Sequence, residues 1–183
     1  MTGKGSLNHN SRKFHAKNTD PNRTHWNVEY CNEDIKDVYH ELFDDALKRY
    51  NDKQTRKDRK IDDYYEKIRS GKQEKLFHEV ILQIGDKDNM GSETMEGQLA
   101  AKILDEYMKG FQERNPTLRV FAAHLHLDEA TPHLHIDFIP YVTGSKRGLD
   151  TRVSLKQALS SLGFKGGSRS ETELNQWVQS EKQ

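Results

Sequence analysis

The feature that most constrains this chain is a run of alternating residues from His124 to Asp137, which holds four of its nine histidines. Polar and apolar residues alternate on both flanks of an Asp-Glu-Ala-Thr-Pro segment at 128–132, in which proline and short polar residues favour a turn. The segment therefore predicts a β-hairpin with strands at 118–128 and 133–142 and a loop at 129–132.

Side chains on a strand point alternately to the two faces of the sheet, so the histidines of this hairpin fall on one face. That face carries His124 and His126 on the first strand and His133, His135 and Asp137 on the second, while leucine and isoleucine occupy the other. Several neutral imidazoles that converge can bind a divalent transition metal. The alternative is that each histidine makes an ordinary hydrogen bond on a solvated sheet face. The pairing of alternating histidines on two strands favours the metal site.

Composition indicates a single domain with local charge contrasts. The 183 residues are 32% charged and 33% hydrophobic, and their net charge is zero. The charge is uneven, with seven basic and two acidic residues at 48–60, and six basic and one acidic at 143–169. A polyanionic partner is therefore not excluded, because the local field steers encounter. The single cysteine, Cys31, fits a reducing cytoplasm, and no apolar run suits a membrane span.

The rest of the chain predicts an α+β fold, an antiparallel β-sheet with helices packed on it. We expect a flexible lead-in at 1–8, strands at 25–30 and 76–84, and helices at 33–50 and 61–70, with Asn32 capping the first helix. Further helices are expected at 154–162 and 171–182. Ser92 is expected to cap a long helix with one apolar stripe, formed by Met95, Leu99, Ile103, Leu104, Tyr107, Met108 and Phe111.

Two motifs resemble a known family. The pattern His126-x-Asp-Glu-x-Thr-Pro-His133-x-His135 resembles the histidine motif of the MobV-type plasmid mobilisation relaxases, also called the Mob/Pre family or plasmid recombination enzymes. They are HUH endonucleases, named for His–hydrophobic–His, here 133–135. The start His9-Asn10-x-Arg12, followed by the stretch at 20–27, resembles their first motif, and the resemblance covers about 9–182.

The resemblance implies a relaxase that cleaves and rejoins one DNA strand at a plasmid or mobile-element transfer origin. His126, His133 and His135 would bind a divalent metal, for which Mn²⁺ is the first expectation and Mg²⁺ or another cation an alternative. All-nitrogen ligation suits Zn²⁺ or Mn²⁺ better than Mg²⁺. His9 would attack the phosphate and form a 5′-phosphohistidine, with Glu129 as a base or orienting group and Arg12 near the phosphate. His124 and Asp137 would orient the ligands. The predicted DNA-contacting residues are Arg12, Lys13, Arg23, Arg147 and Arg152.

The same resemblance frames the expected partners and domain layout. Single-stranded or hairpin origin DNA is the expected partner, with accessory mobilisation proteins beside it and no membrane contact. Residues 1–145 would form the HUH relaxase catalytic core and 146–183 a helical extension of the same domain, without the longer C-terminal region of the family. The family usually has a strand before its first motif, where this chain has a short glycine-containing lead-in.

Alternatives remain at both the residue and the function level. His15, His25 or Tyr30 could replace His9 as the nucleophile, although a packing role is the more ordinary one for Tyr30. Phe14 and Trp26 could stack on unpaired bases or pack in the core. The alternative functions are an HUH replication initiator or transposase, and a non-catalytic, metal-stabilised single-stranded DNA-binding module.

Overall fold

The computed structural model describes residues 2–3, 6–14, 16–168 and 170–182, and only the backbone at 2–3. His15, the alternative nucleophile, lies outside the described residues. The chain forms two compact units, one of Met1–Glu33, Phe77–Arg114 and Val120–Phe138, the other of Asp34–Leu76, Asn115–Arg119 and Ile139–Gln183. The expected α+β class is confirmed, whereas the division near residue 145 stays a prediction.

The strands form an antiparallel sheet in the order β1-β3-β5-β4-β2, and β6 pairs with the far end of β5. Their bounds are β1 Thr2–Gly3, β2 Val28–Asn32, β3 His78–Gln83, β4 Leu118–His126, β5 His133–Val142 and β6 Arg152–Val153. The α-helices in the described ranges are α1 Leu7–Asn10, α2 Ile35–Asp52, α3 Tyr64–Ser70, α4 Met95–Lys109, α5 Phe111–Arg114, α6 Leu155–Ser161 and α7 Glu173–Ser180.

The first unit has an apolar core to which one sheet face and buried residues of α4 and α5 contribute. Leu125, Leu134 and Ile136 point to this side of the hairpin and are almost completely buried. They alternate with the histidines, as the sequence pattern predicts. Leu104 and Met108 of α4 and Phe111 of α5 are also buried. Burial of each such side chain contributes about 1.5–3 kcal/mol, so this packing fixes the hairpin from its apolar side.

Helix α4 differs from its prediction in its start and its face. Thr94, not Ser92, is the N-cap, since its hydroxyl accepts a hydrogen bond from the Gly97 amide. Met95, Leu99 and Ile103 are exposed by 87%, 59% and 49%. The buried face is instead centred on small residues that permit close packing, and it comprises Gly97, Ala100, Ala101, Leu104 and Met108.

Three further predictions needed correction near the sheet. The lead-in is not structureless, because Thr2 and Gly3 pair with Val80 and Glu79 at the edge of β3. A 3₁₀ turn occupies Thr24–Trp26, so β2 starts later than expected. Strand β4 ends at His126 because the amides of the next two residues bond the Asn27 side chain rather than a strand, and the predicted 129–132 loop becomes a six-residue connection at 127–132.

The second unit contains α2, α3, β6, α6 and α7. Helix α2 is capped by Asp34 rather than by the predicted Asn32, because the Asp34 carboxylate reaches the Lys36 amide. Tyr39 and Phe43 pack with Tyr64 in its core. The Trp177 indole donates to the Asn115 amide oxygen at 2.9 Å. Among the described residues, no helix combines the length and apolar character needed to cross a membrane.

Candidate active site

Three histidines of the hairpin form a tight cluster on the face opposite the apolar core. Ring centroids are 4.7 Å apart for His126 and His135, 5.0 Å for His133 and His135, and 5.2 Å for His126 and His133. One ring nitrogen of each lies within 4.8 Å of those of the other two. All three side chains are buried rather than solvated. The arrangement is therefore a converging imidazole group and not three independent surface histidines.

The hydrogen bonds of the cluster leave one nitrogen of each ring available. His126 Nε2 lies 2.8 Å from the Asn10 carbonyl, His133 Nδ1 lies 2.9 Å from the Thr131 carbonyl, and His135 Nδ1 lies 2.7 Å from Glu79 Oε1. Oxygen acceptors of this kind require an N–H, so the second nitrogen carries the lone pair. Within the described chain, His126 Nδ1 and His135 Nε2 are buried without a hydrogen-bond partner. These two unpartnered lone pairs, together with the remaining ring nitrogen of His133, suit a divalent metal that takes nitrogen ligands.

Burial favours the neutral form of two of these rings, His126 and His133. Burial lowers the pKa of His126 to about 2 and also lowers the pKa of His133 below the ordinary value. The positive charge of Arg12 adds to both effects. Because a metal binds only the deprotonated ring, these shifts reduce proton competition for the site.

Glu79 on β3 is a functional-site residue that the sequence analysis missed. In the β3–β5 register it lies opposite Asp137, and Ile81 lies opposite His135. A residue diagonal to His135 on the same face can reach its ring. Burial would raise the Glu79 pKa, but hydrogen bonds from His135 and Asn10 outweigh this and lower it. The available signal was that Glu79 is the single charged residue in the apolar strand predicted at 76–84.

His9 lies at the rim of the histidine cluster. Its ring centroid is 5.9 Å from that of His126 and 6.2 Å from that of His135. Its Nε2 is 3.4 Å from Glu129 Oε1, and the same carboxylate oxygen is 3.8 Å from His133 Nε2. Burial, followed by the charge of Arg12, lowers the pKa of His9. The far N-terminal histidine is thus a neutral, partly exposed base next to the cluster.

The geometry also allows a second ligand set, because His9, His126 and Glu129 offer ligand atoms within 4.8 Å of one another. His9 could therefore be a ligand or a free nucleophile. The imidazole group of the hairpin is the more buried of the two sets, and His9 retains 23% side-chain exposure. That exposure leaves its ring accessible to a substrate.

Arg12 holds the two carboxylates of the loop. Its guanidinium donates to both oxygens of Asp128, from Nε at 3.0 Å and also from Nη2, and it donates to Glu129 Oε1 at 2.9 Å. Burial alone would raise the Asp128 pKa, but the Arg12 hydrogen bonds outweigh it and lower the pKa to about 2. Arg12 follows α1 with a φ of +52°, a left-handed conformation that stores strain in a residue other than glycine. This backbone turns its side chain back toward the site.

The loop at 127–132 is fixed by the N-terminal stretch 20–27. Asn27 Oδ1 accepts from the Leu127 and Asp128 amides, and the Asp20 amide donates to the Asp128 carbonyl at 2.7 Å. Arg23 Nη1 reaches the carbonyls of Leu127 and Glu129, both at 3.2 Å. The first motif thus supplies the support for the histidine motif as well as His9.

A third contact to this loop comes from the segment before α4. The Ser92 hydroxyl donates to the Glu129 carbonyl at 2.9 Å, and the Ser92 amide donates to the Ala130 carbonyl at 3.1 Å. Ser92 is itself buried. Its side chain therefore positions Glu129 instead of capping the helix.

The other predicted residues have mixed surroundings. His124 Nε2 lies 3.2 Å from Glu29 Oε2 rather than against a ring nitrogen of the cluster, and Asp137 reaches the cluster through Asn10. Lys13 and Arg147 are exposed. Arg23 is engaged with the loop, and Arg152, in the second unit, donates to Ser145 and Gln157. The ligand-orienting and DNA-contacting roles given to these residues stay predictions.

The alternative nucleophiles lack the surroundings of His9. The His25 ring contacts Trp26 in the 3₁₀ turn. The Tyr30 hydroxyl donates to Asp105 at 2.8 Å, and burial raises the Tyr30 pKa well above its usual range. A half-buried phenol held in its neutral form is a weak nucleophile. Of these residues, His9 is the one whose ring lies beside the histidine cluster and Glu129.

Comparisons with known proteins agree with the motifs. A family model, Mob_Pre, described as plasmid recombination enzyme, matches residues 5–179. Similar solved structures are MobM relaxase domains (MOBV; Mob_Pre) bound to plasmid pMV158 oriT DNA with Mn. The one at pH 5.5 is 26% identical, with 90% of this chain and 70% of that chain covered and a TM-score of 0.48. The one at pH 6.5 is 23% identical, with 94% and 89% covered and a TM-score of 0.43. A search of curated proteins found no match. The chain belongs to the Mob/Pre family of plasmid recombination enzymes.

Proposed function

We propose that this protein is a relaxase that nicks and rejoins one DNA strand at a transfer origin, using His9 as its nucleophile. The observation that carries the proposal is the meeting of His9 and His133 at one oxygen of Glu129. A nucleophile, a carboxylate and a set of metal donors thereby share one small site. Phosphodiester transfer needs these three parts in mutual reach.

The reaction proceeds by exchange of one bond for another. A lone pair of the neutral His9 ring attacks the scissile phosphorus, a nitrogen–phosphorus bond forms, and the bond to the 3′ oxygen breaks. The products are a 5′-phosphohistidine on the protein and a free 3′-hydroxyl end. Glu129, 3.4 Å from His9 Nε2, takes up the ring proton, and the departing 3′ oxygen takes a proton from water, so that no net proton is gained or lost. Attack by the 3′-hydroxyl reverses these steps and rejoins the strand.

His126, His133 and His135 would hold the metal through their unshared ring nitrogens. A bound divalent cation supplies Lewis acidity that offsets charge on the non-bridging phosphate oxygens. Three protein ligands leave positions open for the phosphate. Mn²⁺ is the cation we expect, because the family resemblance implies it and nitrogen donors suit it better than Mg²⁺.

The expected substrate is single-stranded or hairpin DNA. The half-exposed Phe14 ring lies 6.0 Å from the His9 ring, where it can stack on a base next to the scissile phosphate. Arg12 is saturated by Asp128 and Glu129, so a phosphate contact would require it to share its Nη donors. Its main action is to fix Glu129, while Lys13 is the exposed cation beside Phe14. We expect the reaction to take place in the cytoplasm.

The test is covalent capture of DNA. The protein is incubated with Mn²⁺ and single-stranded oligonucleotides that tile the DNA carrying its gene, and protein–DNA adducts are resolved on a denaturing gel. Wild type should form an adduct with one region, and His9→Ala should reduce its yield by about 10³-fold or more, since a covalent route is lost. An undiminished adduct in His9→Ala would contradict the nucleophile assignment.

The Mob/Pre assignment favours transfer-origin nicking over a replication initiator or transposase of the same chemistry. A non-catalytic binding module remains the outcome if wild type binds a tiled oligonucleotide in the presence of Mn²⁺ yet never forms an adduct. Accessory mobilisation proteins stay an expectation from the resemblance.

A further inference from the structure

Asn10 is a buried polar residue to which the proposed reaction gives no part. It is the last residue of α1, directly after His9, and its side chain is only 1% exposed. A buried amide is retained at little cost only where its hydrogen bonds are made. The partners of Asn10 therefore indicate what the residue does.

The Asn10 side chain bridges two buried carboxylates. Its Nδ2 donates to Glu79 Oε1 at 2.8 Å and to Asp137 Oδ2 at 3.0 Å. One amide nitrogen has two hydrogens, so it can satisfy both acceptors at once. The same Glu79 oxygen also accepts from His135 Nδ1 at 2.7 Å. Asn10 is thus joined to His135 through a single shared atom.

The Asn10 backbone makes a second connection to the cluster. Its carbonyl accepts from His126 Nε2 at 2.8 Å. One residue therefore contacts His126 directly and His135 through Glu79, while its peptide bond links it to His9. Two rings of the hairpin and the proposed nucleophile are tied together over sequence separations of more than 100 residues.

We propose that Asn10 is a positioning residue, which holds the segment bearing His9 in register with His126 and His135. The inference rests on the proposed function for its catalytic consequence, but not for the structural coupling. α1 has only four residues, and helices this short are not stable alone. The hydrogen bonds of Asn10 to the sheet are what give α1 a fixed place next to the cluster.

The chemistry of the site requires an amide at this position. Glu79 and Asp137 are both buried carboxyl groups, and an oxygen of each accepts from the Asn10 Nδ2. A neutral donor between two carboxylates separates them without adding charge. A carboxylate at residue 10 would repel both, and an alanine would remove the donor that they share, which leaves Glu79 with His135 alone.

The first experiment compares Asn10→Ala with Asn8→Ala, a matched control at an exposed asparagine of the same helix. Hydrogen–deuterium exchange is measured on the metal-free proteins without DNA. In Asn10→Ala the amides of residues 9–11 should exchange about tenfold faster or more, because two hydrogen bonds to charged groups are lost. In the same variant the exchange rates of the β4 amides should stay unchanged. In Asn8→Ala the exchange rates should match those of wild type. Unaltered protection at 9–11, or lost protection throughout the chain, would overturn the proposal.

The second experiment measures single-turnover adduct formation with Mn²⁺ and DNA both saturating. Asn10→Ala should lower the rate constant at least tenfold while the DNA Kd stays within about threefold, since misplacement affects attack more than binding. An equal loss in Asn8→Ala, or a change only in Kd, would overturn the proposal.

A reciprocal exchange guards against a variant that fails to fold. Asn10→Asp combined with Asp137→Asn returns an amide–carboxylate pair in the opposite order, while Glu79 still faces a carboxylate at residue 10. The double variant should therefore recover part of the protection at 9–11 that Asn10→Asp alone loses. Absence of any recovery counts against the pairing. If the hydrogen–deuterium exchange results are as expected but wild type forms no adduct with any DNA, the relaxase function is wrong. The structural coupling through Asn10 still holds in that case.

Discussion

At the scale of single residues, the two ring nitrogens of each central histidine have different roles. Hydrogen bonds to Asn10, Thr131 and Glu79 use one nitrogen of each central histidine and leave the other for a metal. His9 differs, because its neighbours are Glu129 and Arg12 rather than a single acceptor that fixes a tautomer. In the proposed mechanism, the same residue type therefore serves as metal ligand and as nucleophile, according to its surroundings.

The pH dependence of attack follows from the His9 environment. Burial, with Arg12 adding to it and Glu129 opposing it, lowers the His9 pKa below 6.5. The ring attacks only when neutral, and protonation occurs below its pKa, so the acidic limb of the adduct-formation rate should lie below pH 6.5. Single-turnover rates at saturating Mn²⁺, with metal occupancy checked at each pH, measure it. A half-maximal rate above pH 6.5 would contradict the account.

Phe14 provides a separate test of substrate contact. Its ring is 50% exposed and lies beside His9. Base stacking on an aromatic side chain contributes about 1–3 kcal/mol, so Phe14→Ala should weaken oligonucleotide affinity by about 5- to 150-fold. Fluorescence anisotropy measures the Kd, and Phe14→Trp is the control that should retain affinity. Equal Kd values for wild type and Phe14→Ala would place the DNA elsewhere.

At the scale of elements, alternation predicted the hairpin because side-chain direction is a local property of a strand. The supporting residues could not be predicted in the same way. Asn10 and Asp137 meet across 127 positions, and Glu79 and His135 across 56, so only the sheet order brings them together. The local pattern predicted Ser92 as a helix N-cap, but its hydroxyl instead donates a tertiary hydrogen bond to the Glu129 carbonyl.

The apolar stripe predicted for α4 was correct in part, because Leu104, Met108 and Phe111 are buried. Met95 and Ile103 also match helical spacing but are exposed, and the buried side of the helix includes Ala100 and Ala101 instead. Small residues permit closer packing than the large residues of the stripe. Periodicity alone does not predict which of the two faces becomes buried. The end of β4 also differs from its prediction, because the Asn27 side chain replaces a backbone partner of the Leu127 amide.

Gly97 tests the contact between α4 and the segment that supports the loop. A Cβ at Gly97 would lie 1.9 Å from the Gly91 carbonyl oxygen, so Gly91 and the adjacent Ser92 would have to move. Gly97→Ala should therefore destabilise by about 1–3 kcal/mol, although alanine is the better helix former. Thermal unfolding measures this loss of stability. Mn²⁺ binding should also become weaker.

The matched control is Gly110→Ala at the other end of the helix, where the added Cβ would meet the flexible Arg114 guanidinium. Its melting temperature should change little. A Gly97→Ala protein as stable as wild type would show that the close approach to Gly91 is absent in solution.

At the scale of the molecule, the site is assembled within the first unit from distant parts of the chain. The stretches 9–12, 20–27 and 126–137 contribute, together with Glu79 and Ser92, and their contacts form only in the folded state. A metal that binds this assembly but not the unfolded chain must stabilise the fold. Thermal stability is thus a direct measure of metal occupancy.

Metal removal should lower the melting temperature. At a free Mn²⁺ concentration about 100 times its Kd, binding adds about 2.7 kcal/mol, which corresponds to a shift of roughly 5–10 °C for a chain of this size. Calorimetry with and without a chelator measures the shift, and His133→Gln should abolish it. A shift that persists in His133→Gln would assign the metal to other residues.

The most direct test of the central claim is to map the covalent bond between protein and DNA. The trapped adduct is digested with protease and nuclease at neutral or alkaline pH, which preserves phosphohistidine, and the modified peptide is sequenced by mass spectrometry. The account predicts a 5′-phosphonucleotide on His9. A modification on Tyr30, His25 or any other residue, with His9 unmodified, would contradict it.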